Sequence, residues 1–147
     1  KTVDMTEKYL PENKPRYLMG VGLPEDILES VARGMDMFDC IIPTRYARGG
    51  TLFTNRGKIR IDHRNYRRDF YPIEPNCNCY ACKNFSRAYL HHLFTSNEIT
   101  GTILASIHNV SWYLQLMQKI RDSIEQGRFL SFKTEFLQEY GFDDGKE

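Results

Sequence analysis

The sequence predicts an α/β fold on three observations: a strand, a helix and a second strand follow one another near the start, three cysteines crowd into six residues, and one short stretch holds most of the positive charge. With 147 residues, 41% hydrophobic and 13% aromatic, the chain has the size and composition of a globular protein. No apolar run approaches membrane-spanning length, so no membrane partner is expected.

Residues 2–10 read as the end of a helix, and Pro11, Asn13 and Pro15 form a linker into the strand Arg16-Tyr17-Leu18-Met19. Gly20-Val21-Gly22 turns into a helix with Pro24 at its first position, Glu25 and Asp26 at its positive end, an apolar stripe of Ile27, Leu28 and Val31, and a stop at Gly34. Met37 to Ile42 is an apolar strand broken only by Asp39, and it leads into a Pro43-Thr44-Arg45 loop. Strand, helix, strand in this order is a βαβ unit with parallel strands. Two parallel strands cannot make a sheet covered on both faces. The chain also opens on Lys1 in mid-helix, so the expectation is the closing part of a larger α/β structure, such as a barrel of eight units and about 250 residues.

Beyond Pro43, two short alternating runs flank an Asn55-Arg56-Gly57 turn and predict a β-hairpin. Helices are predicted over 85–94, over 98–126 and over 129–140, the second ending at Gly127 and an acidic tail following the third. The long helix carries Ile99, Ile103, Ile107, Val110, Leu114, Met117 and Ile124 at helical spacing, expected to face a core. The chain thus divides into a terminal βαβ portion (1–45), a basic hairpin with its cysteine knuckle (46–96), and the long and final helices (97–147).

Between Arg45 and Arg68 stand eight basic residues against one acid, Asp62, a local net charge of +7 that leaves the rest of the chain at −6. Tyr46, Tyr66, Phe70 and Tyr71 lie among them. Such a surface suits an anionic polymer, with rings available for stacking. The alternative is a solvated hairpin whose arginines pair with acids elsewhere.

Cys77, Cys79 and Cys82, with His108 on the long helix, supply four soft or borderline ligands, the number a closed tetrahedral zinc site needs. Cys40, the fourth cysteine, stands apart in an apolar run. An odd cluster of three without a signal peptide speaks against disulfides and for a reducing, cytoplasmic setting. With all positions filled by protein, the ion would be structural. Asp39 is the second chemically loaded residue: the pleat puts it on one face with Met37 and Ile41, where an unpaired buried carboxylate would be costly. A helix cap, a buried ion pair and a catalytic role all fit, and its place near the carboxyl end of a parallel strand, just before the Pro43-Thr44-Arg45 loop, favours catalysis.

Met37-Phe38-Asp39-Cys40-Ile41-Ile42-Pro43-Thr44-Arg45 with Arg48, preceded by Tyr17-Leu18-Met19-Gly20-Val21-Gly22 and followed by Cys-x-Cys-x-x-Cys and His108, resembles the C-terminal part of the bacterial-type tRNA-guanine transglycosylases, or queuine tRNA-ribosyltransferases. Ser86-Arg-Ala-Tyr-Leu-His-His92 and the Met117 to Ile124 helix extend the likeness over nearly the whole chain. The resemblance implies a (β/α)8 TIM barrel with a zinc-binding subdomain of β-hairpin and helices. It implies a transferase that exchanges guanine for a 7-deazaguanine at the tRNA wobble position through a covalent aspartyl-ribosyl intermediate. Asp39 would be the nucleophile, and Met19 and Gly20 would line the base pocket. Gly20, Val21, Gly22, Leu23, Pro24, Glu25 and Asp26, with Thr44, Arg45, Tyr46, Ala47 and Arg48, would contact the anticodon loop. Cys77, Cys79, Cys82 and His108 would hold one structural zinc, and the protein would pair as a homodimer. The family's general base and first barrel strands have no counterpart in these residues, so the isolated chain is expected to be inactive. The other reading is a non-catalytic zinc-containing RNA-binding module or an accessory subunit, a role in which Asp39 would be expected to be lost.

Overall fold

A computed structural model describes residues 2–141, and the chain divides into two compact units, Lys1–Ile42 and Pro43–Glu147. The expected acidic tail lies outside the described residues.

The first unit opens with helix α1 (Thr2–Thr6) and a 3-10 turn (Glu7–Tyr9), followed by strand β1 (Tyr17–Met19), helix α2 (Pro24–Val31) and strand β2 (Met37–Asp39). The strands pair in parallel with Tyr17 opposite Met37, Leu18 opposite Phe38 and Met19 opposite Asp39, which establishes the expected βαβ order. Arg16 is buried where the linker meets β1. Its guanidinium donates to the carbonyls of Leu10 and Pro11 at 3.0 and 3.2 Å, and so tethers the linker. Pro24 starts α2, and Gly34, at φ +80°, ends the turn that follows it.

Two expectations fail here. The strand predicted to run to Ile42 stops at Asp39, and the predicted loop is a helix, α3 (Ile42–Arg48). Pro43 sits in the first turn of that helix, where its missing N–H has no intrahelical partner to lose. The face shared by Met37, Asp39 and Ile41 is also not buried: Met37 and Ile41 are 48% and 63% exposed and the carboxylate is exposed with them. Within a sheet of two strands, that face has no second layer.

The second unit continues from α3 into an antiparallel hairpin of β3 (Thr51–Thr54) and β4 (Gly57–Arg60) joined by the two residues Asn55 and Arg56. Next come a 3-10 turn (Arg64–Arg68), α4 (Tyr80–Asn84), α5 (Arg87–Thr95), α6 (Ile99–Glu125) and α7 (Phe129–Tyr140). The three later helices fall within a residue or two of the sequence expectation. Leu52, Ile61, Ile73, Leu90, Leu93 and Leu104 form an apolar core around the cysteines. Phe53, Trp112, Tyr113, Phe136 and Tyr140 build an aromatic stack that seats α7 on α6.

The isoleucine stripe of α6 does not face this core. Ile99, Ile103, Val110, Leu114 and Ile124 are between 40% and 74% exposed, while Gly101, Leu104, Ala105, His108, Asn109, Trp112, Leu116 and Ile120 point inward. The small residues explain the choice of face. A Cβ on Gly101 would come within 3.0 Å of the Leu93 Cβ, so α5 and α6 approach closely only on that side.

Candidate metal centre and carboxylate site

The hairpin register determines which β3 groups need partners. Thr54 and Gly57 flank a two-residue turn, and alternate pairs of an antiparallel ladder exchange hydrogen bonds, so the N–H and C=O of Phe53 point away from β4. Two consecutive residues of α6 meet them. The Asn109 Oδ1 accepts from the Phe53 N–H at 3.1 Å, and the His108 Nε2–H donates to the Phe53 carbonyl at 2.8 Å. The Asn109 Nδ2 also donates to the carbonyls of Thr51 at 3.0 Å and Pro43 at 2.9 Å. A helix thereby covers a strand edge with side chains, with His108 and Asn109 both fully buried.

With Nε2 engaged as a donor, His108 turns Nδ1 toward the cysteines. Cys77 and Cys79 lie on the segment before α4, and the Cys79 Sγ caps that helix by accepting from the Cys82 N–H at 3.4 Å. The three sulfurs stand 3.9, 3.7 and 3.3 Å from the His108 Nδ1, and the four donor atoms all lie within 4.8 Å of one another. A tetrahedral zinc, with bonds of about 2.3 Å to sulfur and about 2.0 Å to nitrogen, spaces its ligands about 3.5–3.8 Å apart. The arrangement suits one metal ion, and its four protein donors leave no position for a reacting water. Gln115 adds an outer contact, its Nε2 donating to the Cys77 Sγ at 3.5 Å.

Protons show the same fit. The hydrogen bond from the Cys82 thiol, against the cost of burial, holds the Cys79 sulfur down at about 3. That bond and burial push the Cys82 thiol up. Burial opposes the Cys77 thiolate, yet hydrogen bonds from His108, the Cys79 backbone and Gln115 bring it below the usual thiol range. Burial likewise disfavours a charged His108, but Cys77 and Cys79 raise it to about 9. Protons thus offset the negative charge of the buried sulfurs, and a divalent cation replaces those protons to give three thiolates and a neutral imidazole.

In the first unit, Asp39 ends β2 beside β1. Its carboxylate accepts from the Tyr17 hydroxyl and, at 3.1 Å, from the Gly20 N–H. These bonds hold its pKa below the ordinary carboxylate range, Tyr17 contributing most, while the Tyr17 hydroxyl is raised in turn. The result is an exposed, ionised and oriented carboxylate. Met19 is 73% exposed on the same sheet face, and the Gly20 N–H continues the β1–β2 ladder, donating also to the Asp39 backbone carbonyl at 3.1 Å, before the chain turns at φ +76°. Gly22 fits only without a side chain, since a Cβ there would stand 2.3 Å from the Cys40 Cβ.

Within α3, Ala47 is fully buried and Tyr46 stacks on Phe53 at 5.7 Å, leaving Arg45 and Arg48 exposed. Sequence reasoning missed Tyr17, Asn109 and Gln115 as supporting residues. Only Tyr17 left a signal, because parallel pairing places it on the Asp39 face of the neighbouring strand.

A Cys3His metal centre set on a hairpin and a long helix, downstream of a parallel βαβ segment, defines a metal-binding α/β protein. Known sequences narrow that class. The family model described as queuine tRNA-ribosyltransferase matches residues 1–141, and the chain belongs to that family. It is 54% identical over 142 residues to the queuine tRNA-ribosyltransferase of Thermoanaerobacter sp. (strain X514), covering 97% of this chain and 38% of the relative. It is 56% identical over 140 residues to that of Helicobacter pylori (strain ATCC 700392 / 26695), covering 95% and 38%. With the protein of that name from Aquifex aeolicus (strain VF5) it shares 55% over 137 residues, covering 91% and 36%. The chain therefore spans somewhat over a third of the length of these relatives. The Cys3His cluster agrees with the structural zinc expected of the family. Among the described residues, no helix is long and apolar enough to cross a membrane.

Proposed function

We propose that this chain is the C-terminal part of a bacterial-type tRNA-guanine transglycosylase in which Asp39 is the nucleophile. The observation that carries the reading is the Asp39 carboxylate, exposed at the carboxyl end of β2 and kept ionised by Tyr17 and Gly20. A carboxylate oxygen attacks C1′ of the wobble ribose, the glycosidic bond breaks, and guanine leaves with the bonding electrons. The ribosyl ester persists until the ring nitrogen of an incoming 7-deazaguanine attacks C1′ and returns the carboxylate, the two-displacement logic of retaining glycoside chemistry. Met19 and Gly20 line the base pocket. Gly20 to Asp26 and Thr44 to Arg48 contact the anticodon loop, with Arg45 and Arg48 supplying exposed cations. β1 and β2 close a (β/α)8 barrel, whose active sites gather at the carboxyl ends of the strands. The zinc, when bound, crosslinks the second unit and takes no part in the chemistry.

A homodimer formed through the zinc region and its helices is part of the reading. The exposed stripe of α6 supports it, as do the exposed rings of Tyr80 and Tyr89, which bracket Phe85 at 5.8 and 5.2 Å.

The test is exchange of labelled guanine into tRNA by the full-length enzyme carrying Asp39→Asn. Exchange is expected to stop, and a denaturation-resistant protein–tRNA adduct is expected with the unaltered enzyme and not with the variant. Exchange at the normal rate would remove Asp39 from the chemistry.

A further inference from the structure

Of the four rings that lie among the positive charges, two are already engaged. Tyr46 stacks on Phe53, and Tyr66 lies beneath the Arg87 guanidinium at 5.7 Å. The other two, Phe70 and Tyr71, are adjacent in sequence and 80% and 74% exposed. Their backbone is not loose. The Asp69 carbonyl accepts from the Ala88 N–H at 2.7 Å and the Tyr71 carbonyl from the Arg87 N–H at 2.9 Å, so this segment is pinned to the start of α5 on both sides of Phe70. Just before it, the 3-10 turn exposes Arg64, Arg67 and Arg68, which make no ion pair with any described residue. The nearby acids are taken: Asp69 binds Arg87 at 3.0 Å and Asp62 binds Arg60 at 2.6 Å.

Three guanidiniums without ion pairs among the described residues, beside two exposed rings on a hydrogen-bonded backbone, match the chemistry of a phosphodiester strand with an unpaired base, the cations meeting phosphates and a ring stacking on the base. We infer that Arg64, Arg67, Arg68, Phe70 and Tyr71 form a second RNA-docking surface, which grips unpaired nucleotides of the tRNA other than the wobble nucleotide. The inference rests on the tRNA reading above and deepens it. It extends the second unit's part in holding the substrate beyond Thr44 to Arg48.

The test measures tRNA affinity against salt for the zinc-loaded full-length enzyme, with guanine exchange followed in parallel. Arg67→Ala/Arg68→Ala is expected to lower the magnitude of the log Kd against log salt slope by about 1.4, two phosphate contacts at about 0.7 each. Phe70→Ala/Tyr71→Ala is expected to weaken binding about tenfold with the slope unchanged, as loss of a stacked base would. Both leave the ester-forming step intact at saturating tRNA. Arg121→Ala/Arg128→Ala, exposed cations on and after α6, is the matched control. Affinities and slopes equal to the control would overturn the docking surface while normal exchange left the transglycosylase reading standing. A fall in thermal stability with affinity unchanged would mean that the rings pack against other parts of the polypeptide, and would overturn it too. Absence of both exchange and tRNA binding in the unaltered enzyme would instead refute the function on which the inference rests.

Discussion

Replacing Asn109 with leucine keeps the number of side-chain heavy atoms and their branching at Cγ and deletes three hydrogen bonds at once. Its Oδ1 serves the Phe53 N–H, and its Nδ2 serves the carbonyls of Thr51 and Pro43, all within 2.9–3.1 Å of a fully buried side chain. Each such bond contributes about 1 kcal/mol net, and a buried amide left without an acceptor costs about 1–3 kcal/mol. β4 cannot take over, because Phe53 and Thr51 face away from it in this register. Asn109→Leu should therefore destabilise the second unit by about 3–5 kcal/mol. For a domain of this size, where about 1 kcal/mol moves the midpoint about 4–8 °C, the loss is more than about 12 °C. The assay is thermal unfolding of the zinc-loaded protein followed by circular dichroism. Val110→Leu, one position along at a 40% exposed site, serves as control and should shift stability by less than about 0.5 kcal/mol. A midpoint for Asn109→Leu as close to wild type as the control's would refute the claim that this side chain covers the β3 edge.

Chelation of zinc, or His108→Ala, should unfold the second unit or lower its midpoint steeply, since a structural zinc site contributes folding free energy directly; metal analysis and calorimetry read both. Tyr17→Phe removes the leading hydrogen bond that depresses the Asp39 pKa, so that pKa should rise, and the acid limb of guanine exchange by the full-length enzyme should move to higher pH. The sign follows from the shift: with the folded pKa below the unfolded one, the ionised form is favoured at neutral pH, and that preference fades only as pH falls through the folded value. Gly22→Ala should disturb the turn after β1 by about 2 kcal/mol or more, because the Cys40 side chain occupies the space a methyl needs; urea titration would show it. Ile103→Asp and Leu114→Asp should change protomer stability by about 1 kcal/mol or less while shifting sedimentation toward monomer, whereas Leu104→Ala, on the buried face, should cost about 2–5 kcal/mol.

Much of this was legible because it is local. Pro24 and Gly127 punctuate α2 and α6 through backbone rules that need no tertiary context, and Cys77, Cys79 and Cys82 converge across so few residues that sequence alone brings them together. The face of α6 was not legible. Its isoleucines outrank in hydropathy the Gly101, Ala105, His108 and Asn109 that are buried, yet close approach to α5 and hydrogen bonding to β3 decide the orientation. The face of Asp39 reads as buried because Met37 and Ile41 share it in an apolar run, but β2 pairs with β1 alone among the described strands. The edge cover by Asn109 was invisible without the hairpin register, which determines whether Phe53 looks toward β4 or away from it.

The same carbonyl of Phe53 that terminates the hairpin's free side also orients a metal ligand, and this has a consequence for assembly. The three cysteines need only a small loop to gather round an ion, whereas His108 must close a span of 26 residues and takes its orientation from the Phe53 carbonyl of β3. A hairpin slipped by one residue would turn the Phe53 carbonyl toward β4 and leave the imidazole unsteered. Strand register and the completeness of the donor set are thus linked: the pairing that aims the Phe53 carbonyl at the His108 Nε2 also leaves the Nδ1 facing the three sulfurs.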